Sequence, residues 1–473
     1  MTIQWSGLGP ELLLRVDRGS GEALRSQLET SLRDAIRGGR LHEGERLPSS
    51  RELARELGVS RGLVQECYGQ LLSEGYLTSQ VGSATRVAAR AHPVPSESAQ
   101  GPRPEPPPRL IADFRSGVPD LASFPRTDWV WATRRACDSV ASADLDYGDP
   151  RGSTGLRTVV AGYLRRVRAA AAEPERVIVS TGFAQGLALV LRALARAGVR
   201  CAAFEDPGYG SAETDESLRA AQAAGLRLVH VPVDELGIDV AALEASDARV
   251  VVVTPAHQSP TGVVLAAGRR HALVDWASRT GAYIVEDDYD SEFRYDREPI
   301  GVLQGLAPDR VFTIGTASKA LAPAVRLGWV LAPAPLAGAV AAEKLISDRG
   351  SSTLDQLALA ALIESGRYDR HLRRMRVIYA HRRDRLVAAL ARYAPGIRLT
   401  GLAAGFHAVA HLDATADEHA VVAAARERLV GLYGISRYRA SGQPAAPQLV
   451  LGFGNVSERA IEPGIAAVAD LLG

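Results

Sequence analysis

The sequence predicts an α/β protein of two folded units on a tether. An N-terminal winged helix-turn-helix leads through a Pro-rich linker to a larger unit with a mainly parallel sheet and a smaller C-terminal subdomain. Three observations predict this. Two short helical patterns flank Gly58-Val59-Ser60. A polar, Pro-rich run without periodicity covers residues 88–110. Beyond it, apolar strands alternate with helical stripes, the pattern of a parallel sheet covered by helices. A length of 473 residues suits two or three domains. The expected boundaries are 15–88, 89–111 and 112–473.

In residues 22–37, Leu24, Leu28, Leu32, Ala35 and Ile36 recur at helical spacing, and Gly38-Gly39 stops the run. Pro48 and Ser49 start a helix over 50–57 that ends at Gly58. Ser60 can cap the next helix, which runs to about Glu74. In such a pair the second helix enters the major groove N-terminus first. Residues 75–77 and 85–87 are the expected wing strands around Gly82. Net charge is only +1, so DNA binding needs a local patch. Arg46, Arg51, Arg55, Arg61 and Arg86 supply one where phosphates would lie, unless they are a solvated helix face. The linker composition favours extended polyproline conformations and reads as a semi-stiff tether; a disordered spacer is the alternative.

Expected strands of the larger unit are 177–180, 202–205, 227–231, 249–254, 283–286, 311–314 and 327–331. The unit is organised around VFTIGTASKALAPAVRLGWV, residues 311–330, read as strand, tight polar loop, strand. Lys319 ends the small-residue run, and Arg326 follows seven residues on. A lysine in a cramped, partly dry pocket loses its proton more easily and can form a Schiff base with an aldehyde. Pyridoxal phosphate (PLP) is the obvious aldehyde, and its phosphate would suit Ser318, Thr316 and Arg326. A surface lysine in a strand-to-strand loop is the plain alternative.

Ligands of open parallel sheets sit at the carboxyl ends of strands, and the other candidates fall there. Residues 180–185 join a strand to a helix expected to begin near Gln185, so Phe183 and Ala184 lie in a turn able to seat a phosphate. Tyr209, just past another strand, could stack on a pyridine ring or simply pack. Carboxylates crowd the strand end at Glu286, Asp287, Asp288, Asp290 and Glu292. They repel unless a cation is present, and a protonated pyridine nitrogen is such a cation. That role is assigned to Asp287, and a hydrogen bond to the ring hydroxyl to Tyr289. Asp288, Asp290 and Glu292 are expected to be solvated or paired with Arg294 and Arg297. An acidic metal site is the rival reading; the lack of nearby histidines and the downstream lysine argue for no metal.

The N-terminal segment resembles the winged helix of the GntR family. The matching motifs are L-P-S-x-R-x-L-A-x-x-L-G-V-S-R from Leu47, Y-x-x-L-x-x-E-G-Y-L from Tyr68 and V-G-S-x-T-x-V from Val81. The resemblance implies that Arg51, Ser60 and Arg61 face phosphates and bases. It also implies that Gln65 points outward to read a base edge and that Gly82 brings the wing backbone near the minor groove. The family usually shows Thr where this chain has Gly62 or Leu63.

S-K-x-L-x-P-x-x-R-L-G-W from Ser318 resembles the cofactor-lysine segment of fold-type I aminotransferases. Tyr147-Gly148-Asp149-Pro150, the turn at Phe183, Tyr209, Ser259-Pro260-Thr261-Gly262 and Asp287-Asp288-Tyr289 extend the likeness over roughly 112–473. It implies an aminotransferase-like PLP domain and a homodimer with shared sites, in which Tyr147 reaches the phosphate of the neighbouring subunit. A GntR winged helix fused to such a domain is the architecture of MocR/GabR-type regulators. Two positions depart from the enzymes. Ser259 replaces the usual Asn, and Val450 replaces an Arg that grips the substrate carboxylate. Arg437 and Arg439 are candidates for that grip on an effector, or are surface residues.

The expected function is a PLP-dependent transcriptional regulator. It would bind operator DNA and sense an amino compound, or PLP itself, through a Schiff base at Lys319, with no net turnover. An active aminotransferase carrying a DNA-binding module is the alternative. A repressor with a purely scaffolding large domain is a third reading, and the intact Lys319, Asp287, Tyr289 and Arg326 speak against it. Cys67, Cys137 and Cys201 are scattered without metal-ligand spacing, as in a reducing cytosol. No stretch approaches a membrane span, so a soluble, cytoplasmic protein is expected.

Overall fold

In the computed structural model of the chain, Leu28, Leu32, Ala35 and Ile36 form the buried face of α1 (Leu24–Arg37), as their spacing predicts. The structure describes residues 14, 16–79, 84–88, 109–210, 215–295, 300–440 and 445–473. Gly82 and residues 89–108 of the tether lie outside the described residues. The chain divides into two compact units, 1–107 and 108–473.

In the first unit, α2 (Ser50–Leu57) opens on a reciprocal cap. Ser49 Oγ accepts from Glu52 N, and the Glu52 carboxylate accepts from Ser49 N. Gly58 closes α2 in the left-handed conformation, φ 64°. Ser60 Oγ accepts from Leu63 N at 3.2 Å and starts α3 (Arg61–Ser73). Leu28, Leu32, Leu53, Val64, Cys67 and Leu71 fuse the three helices into one core. The wing strands β1 (Leu77–Thr78) and β2 (Arg86–Val87) pair antiparallel and are a residue shorter each than expected.

The second unit begins with β3 (Ala112–Asp113), α4 (Arg126–Ser139) and α5 (Thr154–Arg168). Its sheet contains β4 (Val177–Ser180), β5 (Cys201–Asp206), β6 (Arg227–Asp234), β7 (Gly237–Ile238), β8 (Val250–Val253), β9 (Tyr283–Asp288), β10 (Val311–Thr316) and β11 (Gly328–Leu331). The order is β4-β11-β10-β9-β8-β5-β6-β7, with β10, β9, β8, β5 and β6 parallel neighbours. Strands β4, β5, β8, β10 and β11 are buried at every residue. Helices cover both faces, so these strands read as apolar runs rather than alternations. Two strands break the parallel order: β11, antiparallel to both β10 and β4, and β7, antiparallel to β6.

Two local readings are corrected. The helix after β4 is α6 (Phe183–Arg196), starting two residues before Gln185, because Gly182 at φ 103° completes the turn in a single residue. The expected polar loop before Lys319 is one helical turn, Ala317–Ala320, because Thr316 Oγ1 accepts from Ser318 N at 3.1 Å and caps it.

The C-terminal subdomain is built on the 27-residue helix Arg367–Tyr393 and an antiparallel sheet of β12 (Arg398–Thr400), β13 (His407–His411) and β15 (Gln448–Gly452). Between the last two, β14 (Val430–Gly431) pairs parallel with β3 and stitches the subdomain to the start of the unit. Val450 is fully buried in β15, opposite Val409.

Candidate functional site

The carboxyl ends of β4, β5, β8, β9 and β10 meet in one place, and a cavity of about 310 Å³ opens there. Lys319, Asp287, Tyr289, Tyr209, Ser318 and Arg326 line it. The Lys319 ammonium donates to the Gly117 carbonyl at 2.6 Å. Burial holds the Lys319 pKa below the ordinary lysine value, while Asp287 and Asp290 pull it back up. The helical turn thus delivers a partly desolvated amine, the state a lysine nucleophile needs.

Asp287 accepts a hydrogen bond from Tyr209 Oη at 3.0 Å on Oδ2. Its Oδ1 is buried and has no partner. Burial pushes the Asp287 carboxyl well above the usual carboxylate range, against the opposing pull of the Tyr209 bond and Lys319. A buried, unpartnered carboxylate oxygen is costly and suits a proton donor that the chain does not supply. The Tyr209 ring stacks on Phe183, with centroids 6.0 Å apart and planes 8° from parallel. The Tyr289 hydroxyl donates to the His257 carbonyl at 3.0 Å.

On the far side of the cavity the first N–H groups of α6 follow Gly182, which offers no side-chain cap. A Cβ on Gly182 would stand 3.5 Å from Arg326 Nη1 and 3.9 Å from Ser318 Oγ. Thr316 Oγ1 donates to Ser318 Oγ at 2.9 Å and orients it. An uncapped helix start, a guanidinium and a hydroxyl together suit an anion. Gly182 keeps the space between them open. Sequence reasoning missed the support behind this turn: Gln185 Oε1 accepts from Thr181 N at 2.9 Å and from the fully buried Lys344 ammonium at 2.8 Å. Lys344 lies 159 residues away and carried no local signal.

Most of the acidic run is buried, and Asp288, Asp290 and Glu292 each meet a partner distant in sequence; Arg297 lies outside the described residues. Asp288 forms a two-point ion pair with Arg168 of α5, at 2.7 and 2.9 Å. Asp290 lies 2.8 Å from His257 Nδ1, and Glu292 accepts from Tyr163 Oη at 3.3 Å. Folding brings the buried His257 and His407 to this run, so histidines are near it in space. Donor atoms of His257, Asp290 and His407 lie within 4.8 Å of one another. Glu286 is buried and accepts from Leu303 N at 2.9 Å and from Thr313 Oγ1 at 3.3 Å.

Tyr147 does not line this cavity; it is 70 % exposed, with the Arg349 guanidinium 4.6 Å above its ring. Arg437 is exposed and lies over the Tyr433 and Tyr438 rings. Arg439 has a buried Nε without a partner. Both line a second cavity of about 580 Å³ that shares Tyr209 with the first. In the first unit, Arg51, Ser60, Arg61 and Gln65 are all exposed, at the start of α2 and along the first turns of α3. Ser60 Oγ is already engaged as the cap of α3.

Comparison with known proteins fits this geometry. The family described as bacterial regulatory proteins, gntR family, matches residues 24–87, and aminotransferase class I and II matches 111–441. The HTH-type pyridoxine biosynthesis transcriptional regulator PdxR of Corynebacterium glutamicum is 37 % identical over 95 % of this chain and 96 % of its own. The probable rhizopine catabolism regulatory protein MocR of Rhizobium meliloti is 33 % identical, over 96 % and 94 %. The chain belongs to the MocR-type transcriptional regulators. An archaeal alanine:glyoxylate aminotransferase superposes on the large unit with a TM-score of 0.70 at 24 % identity, covering 77 % of this chain and 91 % of that one, and shares its fold.

The regulator therefore combines a GntR DNA-binding domain with an aminotransferase-type domain, and that family indicates PLP as its cofactor. Among the described residues no helix is long and apolar enough to cross a membrane. On the DNA side, Arg61→Ala is expected to weaken operator binding and to lower the slope of log affinity against log salt by about 1, the change that losing one phosphate contact would give. Titrating labelled duplex at several salt concentrations measures both. An unchanged curve would remove Arg61 from the interface.

Proposed function

We propose that this regulator reads operator DNA through α3 and reports the occupancy of the Lys319 cavity. When bound, PLP would supply an electron-withdrawing ring and an aldehyde, and Lys319 is the amine placed to hold it. The chain supplies the rest. Asp287 Oδ1 would accept the ring nitrogen's proton, Tyr289 would donate to the ring hydroxyl, and Tyr209 would lie against the ring. Ser318, Thr316, Arg326 and the backbone of Phe183 and Ala184 would take the phosphate. Tyr147, exposed on its own subunit, would complete the phosphate seat of a second copy in a homodimer. The observation that carries this reading is the unpartnered buried Oδ1 of Asp287 in the same cavity as a partly desolvated lysine.

The signal favoured is PLP itself. Val450 is buried and apolar, so β15 offers no guanidinium to grip a carboxylate. The Corynebacterium relative carries pyridoxine biosynthesis in its name. A second signal, an amino compound with an acid group, is supported by the unpartnered Arg439 Nε beside Tyr209. Ser259 and Val450 weigh against ordinary aminotransferase turnover. The test is operator affinity of the full chain, on duplex selected from a random library, with PLP removed and then restored. A PLP-dependent change in affinity supports the reading, and a panel of amino compounds on the loaded protein then separates the two signals. Equal affinity in all states would leave the large domain as a scaffold.

A further inference from the structure

Behind Tyr289 lies a buried hydrogen-bonded pair that the cofactor assignment does not use. His257 and Asp290 side chains are 0 % and 1 % exposed, with Nδ1 and Oδ2 2.8 Å apart. A carboxylate only accepts, so Nδ1 carries the proton. The same Nδ1 stands 3.3 Å from Tyr289 Oη. That one proton goes to Asp290, so Tyr289 Oη meets Nδ1 only as the longer branch of a shared bond, while its own proton is directed to the His257 carbonyl at 3.0 Å. A hydroxyl that accepts one hydrogen bond donates a stronger one.

The surroundings keep this pair in register. A Cβ on Gly405 would fall 2.3 Å from Asp290 Oδ2 and from His257 Nδ1, so the backbone there seals the pair from water. His407 packs against His257 with ring centroids 4.5 Å apart and planes tilted by 42°, and its Nε2 donates to the Pro260 carbonyl at 3.1 Å. Burial holds His407 well below the ordinary histidine pKa, so it adds no charge. The other titratable or charged groups facing His257 are Asp290 and Tyr289, from the segment after β9, and Arg294, whose guanidinium reaches the Ala256 carbonyl at 3.5 Å.

We propose that Asp290 and His257 are positioning residues for Tyr289. They park its hydroxyl proton on the His257 carbonyl in the free protein and present it to the phenolic oxygen of bound PLP when the cavity is filled. The inference rests on the reading that PLP occupies this cavity. It makes the 256–262 loop, through the His257 carbonyl that Tyr289 leaves, a part of the protein that registers loading.

The visible absorption of the PLP-loaded full chain, followed against pH, tests it. A donor to the phenolic oxygen favours the unprotonated nitrogen at Lys319, so weakening that donor raises the midpoint of the spectral change. Asp290→Asn and His257→Gln are each expected to raise it by about one pH unit, tenfold in proton concentration. Neither should move it further in a Tyr289→Phe background. A merely structural role would lower the melting temperature or PLP affinity and leave the midpoint in place. A loaded Asp290→Asn protein with the wild-type midpoint overturns the proposal. Tyr289→Phe deletes a single oxygen and must shift the midpoint at least as far; an unmoved midpoint there overturns it independently of how the other variants fold. No visible band in the wild type would overturn the cofactor reading and this inference together.

Discussion

Lys319→Ala is expected to abolish the visible absorption band that the wild-type chain acquires with PLP, and to leave operator affinity indifferent to PLP. The lysine is the amine whose burial holds its pKa down and which shares a cavity with Asp287. Without it the aldehyde would have no covalent partner, and binding would fall back on the proposed phosphate seat and the proposed Asp287 contact. Lys319→Arg separates charge from chemistry. Arginine keeps a cation near Asp287 but stays protonated and cannot form the bond. Both variants should lose the band, measured by absorbance and by mass after borohydride reduction. A band or a reduced adduct that survives in Lys319→Ala would place the cofactor amine elsewhere.

Arg168→Ala is expected to destabilise the large unit by about 3–5 kcal/mol, the usual cost of leaving one member of a buried ion pair behind. Arg168 and Asp288 are 2 % and 6 % exposed on their side chains. The Arg168 guanidinium also donates to the Ile300 carbonyl, so its loss strips a backbone acceptor too. The effect has a pH signature. Burial pushes the Glu286 and Glu292 carboxyls up to about 7, and Arg168 works against that rise in both. Groups raised in the folded state cost stability as pH climbs from their unfolded value toward their folded one, and the cost is constant above it. Removing Arg168 raises both folded values further, so the variant goes on losing stability above pH 7 where the wild type has levelled off. Urea denaturation at about pH 6 and about pH 8 should therefore show a larger deficit at the higher pH. Equal deficits at both would make the loss a packing effect.

Much of this architecture was readable from local pattern. The strands of the parallel sheet appear as β-branched apolar runs because both of their faces are covered, and most were placed to within two residues. The start of α2 was legible because the Ser49–Glu52 cap is made within four consecutive residues. Lys319, Asp287 and Tyr209 could be singled out because each stands at or just past a strand's carboxyl end, and Arg326 because it follows Lys319 just before the next strand. The partners of the acidic run were not legible. Arg168 meets Asp288 across 120 residues, and His257 meets Asp290 across 33. Arg294 and Arg297, close in sequence, were the natural choice for Asp288, Asp290 and Glu292; Arg297 lies outside the described residues, and the partner that Asp288 shows is Arg168.

The sequence by itself determined which elements form and which residues stand at their ends, because burial periodicity, caps and turns are local properties of a few neighbouring side chains. Only the tertiary structure decided what those residues touch: the Arg168 pair, the His257–Asp290 support of Tyr289, the Lys344 prop behind the anion seat, and the burial of Val450. The physical reason is that a hydrogen bond or ion pair is set by the meeting of separate strand ends, and the distance along the chain between its two members leaves no trace in either one's neighbours.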